Sequence, residues 1–171
     1  MSKEIQDETR WDFYGTILGT WGMVMLFAVV HDQYVVGLSP RHFTDYHTNP
    51  LGIENVRVLA AFWGVLSSVS PGMTLGVVLY LFGRWGARKK MATRRLLMGV
   101  LYLICFTEIC ALISLGLTHI THRELYPSFL YVDNSFEMMC SQTVQLTAYF
   151  MGMLGSVVLL SGVYRRRKQE G

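Results

Sequence analysis

Five histidines and a set of carboxylates are the side chains in this sequence best suited to chemistry. His31 with Asp32, His42 with Asp45 and His47, and His119 with His122 fall in three short stretches. Imidazole and carboxylate together suit zinc, copper, iron or manganese, so a divalent metal is the first cofactor to consider. The H-x4-H spacing of His42 and His47 and the H-x2-H spacing of His119 and His122 could each present two ligands from one side of a turn. Neither matches the H-E-x-x-H zinc helix. The same residues could equally solvate short loops and cap helices.

A second candidate is Glu108, in the apolar run LLMGVLYLICFTEICALISLGLT. A carboxylate at such depth is costly in hydrocarbon and should face a bundle interior or a water-filled cavity. No Lys or Arg lies inside an apolar run to pair with it. It is therefore expected to be protonated unless it binds a cation. Gln145, Tyr149, Gly152 and Ser156 share one helical stripe, with Tyr149 at a depth that puts it within reach of Glu108. Ser67, Ser68 and Ser70 precede Pro71, which frees the carbonyl of Ser67 at the same level. Together these residues predict one buried polar cluster, either a set of interhelical hydrogen bonds or a proton site.

Glu108, His119 and His122 also fall on one stripe of the third run, within about 40° of one another. Glu108 and His119 are about 16 Å apart along the axis, too far for one metal's ligand shell. A shared role would need a proton relay, and Leu112 and Leu115 lie on its path. A haem held by His31 and His119 is less favoured than a metal. Their depths, roughly 27 and 34 Å, match only broadly, and His31 is expected about 150° from the Gly15, Gly19 and Gly22 stripe that would face a neighbour.

The elements that must position these residues are four long apolar stretches. Of 171 residues, 51% are hydrophobic and only 16% charged. That composition argues against a soluble enzyme and against a disordered chain. The stretches run from about 13 to 38, 58 to 82, 96 to 118 and 138 to 164, each near or beyond the roughly 20 residues that cross a hydrocarbon core. The expected fold is an all-α membrane protein, one up-down-up-down bundle of four transmembrane helices over residues 1–171. The connections are too short to enclose a core of their own.

Charge sets the expected orientation. The net charge of +3 comes from clustered Lys and Arg, a topology signal and not a nucleic-acid-binding face. Lys3, Arg10, the middle connection from Arg84 to Arg95 and the tail from Arg165 to Lys168 carry most of the cations; Arg41, Arg57 and Arg123 stand on the other side. Both termini are expected in the cytoplasm, in a cell (inner) membrane, with all five histidines outward. The acidic start and the lack of an A-x-A site argue against a cleaved leader.

Enzyme fingerprints are missing from the sequence: it has no C-x-x-C, no G-x-S-x-G and no Gly-rich phosphate loop. Cys105 and Cys110 lie in one run and point apart. At HDQYVVGLSPRHFTDYH and again at Gly-Arg-Trp-Gly, closing the second run, the chain resembles small four-helix membrane proteins of bacterial genomes that have no assigned activity. The resemblance covers His31 to Gly86 and implies a fold only. Two functions follow from the residues. One is a non-enzymatic accessory or assembly subunit, packed in the lipid bilayer against other transmembrane subunits or a second copy. The other is a metal-binding or proton/cation-coupled protein using the outward His and carboxylate cluster with Glu108.

Overall fold

A computed structural model describes residues 10–133 and 135–169. Lys3, one of the cations counted above, lies outside them. Four long helices dominate: α1 (Arg10–Leu38), α2 (Val56–Arg84), α3 (Thr93–Thr121) and α4 (Phe136–Gln169). Each is long and apolar enough to cross a membrane. At 1.5 Å per residue, 29 residues reach about 43 Å, enough for the hydrocarbon core and both interfaces.

The helices outrun the apolar stretches at nearly every end. Hydropathy marks only the residues that tolerate hydrocarbon, whereas helical hydrogen bonding continues until something stops it. Asn55 starts α2 by accepting hydrogen bonds from the amides of Arg57 and Val58. At the other end of α2, Gly86 adopts φ +90°, which a side chain would disfavour. His122 ends α3 in the left-handed region, its amide donating to the Thr118 carbonyl.

Packing is closest between α1 and α2. A Cβ added to Gly64, Gly72 or Gly76 would come within about 3 Å of the backbone of Val29, Trp21 and Ile17 respectively. Small residues on α2 thus let two backbones touch. On α1 the buried stripe is Thr16, Thr20, His31 and Val35. The glycines expected to mark the inward face do less: Gly15 and Gly19 lie beside Thr93 and Leu97 of α3, and Gly22 meets nothing within 4 Å.

Two apolar clusters close the bundle at different levels. Val35, Val36, Phe43, Leu59, Ala60, Ala111 and Val144 form one. Leu79, Met91, Leu96, Val100 and Val163 form the other, toward the end rich in Arg and Lys. That basic end is tied by Asp12, whose carboxylate pairs with Arg84 at 3.1 Å and accepts from the Thr93 hydroxyl at 3.0 Å. The Arg84 guanidinium also donates to the Met91 carbonyl. Arg167, only 5% exposed, donates to the carbonyls of Phe82, Trp85, Arg88 and Lys89. One guanidinium so ties a carbonyl of the last turn of α2 to those of its cap residue and of the connection that follows.

Candidate functional site

Between the two apolar clusters the interior turns polar. His31 is 3% exposed and its Nδ1 lies 2.9 Å from Glu108 Oε2. Tyr34, one turn further along α1, brings its hydroxyl 2.9 Å from the same Nδ1. When Glu108 is ionised it accepts the Nδ1 proton, which leaves Nε2 as the free face of the ring. Nε2 is buried without a partner among the described residues.

His31 lines a cavity of about 460 Å³ reached by all four helices. Phe27, Asp32, Ser68, Thr107 and Gln145 line it too, with apolar walls from Val24, Leu75, Val78 and Leu160 below. Thr107 Oγ1 and Gln145 Oε1 are also buried without a partner among the described residues. Gln145 spends its amide N–H on the Tyr149 hydroxyl, 2.8 Å away. Asp32 is 4% exposed, and no described residue donates a hydrogen bond to it. Along the rim, Ser67, Pro71 and Thr74 of α2 and Tyr149, Met153 and Val157 of α4 are exposed, so the cavity opens sideways between these two helices.

The predicted polar cluster is therefore rearranged. Glu108 is not without a partner, because His31 supplies one across the bundle. His31 was expected to face away, on the premise that the α1 glycines face inward. The inward stripe instead runs through Thr16, Thr20 and His31, and Thr20 and His31 differ by 11 residues, about 20° of rotation. Tyr149 is 59% exposed and bonds Gln145 rather than Glu108. Ser67 reaches the cavity rim, whereas Ser70 is exposed and does not line it.

The remaining candidate ligands are dispersed. The His42 and His47 rings lie tilted with centroids 5.3 Å apart, but His47 Nδ1 donates to the His42 carbonyl and His42 Nδ1 meets the Ser141 hydroxyl at 3.3 Å. Burial first, and His47 second, push the His42 imidazole down to about 4. Asp45 is held by Arg41 at 3.0 Å, and Arg41 also pairs with Asp133 at 2.9 Å. Hydrogen bonds from Thr44 and Arg41 keep the Asp45 carboxyl below its ordinary range. His119 and His122 are exposed and pack on the ring of Phe136. Among the described residues no three His, Cys, Asp or Glu are grouped to hold a metal ion.

Tyr34 and Thr107 are the site residues that sequence reasoning passed over. Tyr34 had a usable signal, since i and i+3 on a helix are neighbours. Compared with family models, curated proteins and solved structures, the chain finds no match in any of the three.

Proposed function

We propose that this protein is a proton-coupled, multi-pass protein of the cell membrane, in which the His31 and Glu108 pair exchanges protons beside a laterally open cavity. Its four spans alternate in direction, with both termini and the basic middle connection in the cytoplasm. The contact order supports the alternation: Gly64, Gly72 and Gly76 meet Val29, Trp21 and Ile17 in descending sequence, while Gly15, Gly19 and His31 meet Thr93, Leu97 and Glu108 in ascending sequence. The clustering of cations at the Asp12 end supports the orientation.

The observation that carries the reading is the 2.9 Å contact between an imidazole and a carboxylate within the apolar spans. Such a pair moves one proton between two groups at little cost, whereas either alone would be expensive to charge there. The sequence expectation of outward histidines acting with Glu108 narrows to His31. His119 and His122 contact Phe136 instead, separated from Glu108 by about three turns. The accessory-subunit reading draws on small residues left open, such as Gly22 and Gly116, where an added Cβ would meet nothing.

Infrared titration of the protein in lipid bilayers tests this. The carboxyl C=O band of the wild type should change with pH, and Glu108→Gln should remove one component while the helical amide bands stay in place. A Glu108→Gln spectrum that titrates like the wild type overturns the proton role. A reporter fused after Arg123 that proves cytoplasmic overturns the orientation.

A further inference from the structure

We propose that the cavity binds a lipid-soluble organic monocation, an alkylammonium, whose head takes the place of a proton at Asp32; this rests on the proton-coupled reading above. Its volume of about 460 Å³ lies in the range of small-molecule sites. The mouth between α2 and α4 faces the bilayer, and Val24, Phe27, Leu75, Val78 and Leu160 provide an apolar wall for a chain. From Asp32 to Val24 the wall falls by about 12 Å along α1, the reach of a medium-length alkyl tail.

The head group is identified by what the polar end lacks. His31 is 3% exposed and Thr107 2%, and each presents an unpartnered atom among the described residues, Nε2 and Oγ1. Gln145 has an unpartnered carbonyl oxygen among the described residues, with one amide N–H donated to Tyr149. In the neutral ring with its proton on Nδ1, Nε2 offers a lone pair. The set is dominated by acceptors, and an ammonium brings three donors.

Charge points the same way. Glu108 faces His31, and Asp32 is a second acid, while no Lys or Arg lines the cavity. The titratable groups around Asp32 are His31 and Tyr34 on its own helix, Glu108 on α3 and Tyr149 on α4; α2 contributes the hydroxyls of Ser67 and Ser68, and His42 stands beyond His31. None of these supplies a fixed positive charge. A phosphate or carboxylate head would meet the acid of Asp32, and a neutral head brings no charge to exchange for its proton. A metal ion lacks its ligands here, since no three grouped His, Cys, Asp or Glu occur among the described residues. An organic cation supplies the charge and brings its own chain for the apolar wall.

The test is a chain-matched series of decylammonium, decanol and decanoate, titrated calorimetrically against the protein in phosphatidylcholine nanodiscs. Decylammonium should bind at least tenfold tighter than the other two. Its affinity should rise with pH, with up to one proton released per ligand, read from buffers of different ionisation enthalpy. Asp32→Asn should cost tenfold or more and remove the pH dependence, with decanol unaffected. Gln145→Leu should weaken decylammonium severalfold and leave its pH dependence intact, which keeps the test open should Asp32→Asn fail to fold. Decanol binding as tightly as decylammonium overturns the site. A clear preference for decylammonium without proton release overturns the exchange at Asp32, whereas the His31 and Glu108 reading falls separately, on a Glu108→Gln infrared spectrum that titrates like the wild type.

Discussion

His31 and Glu108, 77 residues apart in the chain, bring Nδ1 and Oε2 to 2.9 Å across two helices that the sequence shows only as apolar. Removing the ring leaves a partly buried carboxylate with its main partner gone. His31→Ala is expected to cost about 2–3 kcal/mol of unfolding free energy in mixed micelles. The His31→Ala, Glu108→Ala double variant should cost clearly less than the two single losses added together. Additive losses in that cycle would mean the contact carries no coupling.

Gly64 and Gly76 sit where an added Cβ would come 2.9 Å from α1 backbone atoms. Backbone cannot yield as a side-chain tip does, so Gly64→Ala and Gly76→Ala should each destabilise by about 1–3 kcal/mol. Gly22→Ala has open space and should stabilise by up to about 1 kcal/mol through helix propensity. Thermal melts of the three variants side by side decide this, and equal behaviour would contradict the packing.

Burial in the folded chain pushes the His42 imidazole down to about 4 from its ordinary value of 6.5 in the unfolded chain. The unfolded chain thus gains protons at higher pH, so this contribution is fully present above about pH 6.5 and is lost as pH falls toward 4. The full loss is about 3 kcal/mol. The hydrogen-exchange protection factors of the 41–47 segment, corrected for the intrinsic rate, should fall steadily over that window. His42→Gln should flatten the slope.

Arg167 satisfies four carbonyls around the end of α2. Arg167→Ala should speed amide exchange across residues 85–91 and cost about 2 kcal/mol. Arg167→Lys should recover only part, because an ammonium lacks the planar fork that reaches several acceptors at once. Full recovery by Lys would point to charge alone.

The four spans were legible because a hydrocarbon core demands long apolar stretches, and little else in a sequence produces them. Glu108 was legible as a site for the same reason, since an acid amid Leu, Ile and Phe stands out. Its partner was not. Choosing the inward face of α1 from Gly15, Gly19 and Gly22 turned His31 outward, whereas the close approach to α2 is made by Gly64, Gly72 and Gly76. Rotation about a helix follows from a neighbour's shape, which composition does not encode. The histidines read as one cluster because the charge count led to the expectation that they share a side of the membrane; in three dimensions Arg41, Ser141 and Phe136 engage their neighbours separately.

The bundle is hooped at both rims, by Arg167 and Asp12 at one and by Phe43, Val36 and Leu59 at the other, and slatted at its waist. A guest entering at the waist need not loosen either hoop. The slats in its way are the exposed side chains of Tyr149 and Met153, which swivel within nanoseconds. Entry and exit should therefore keep pace with lipid jostling and leave the helical frame unstirred.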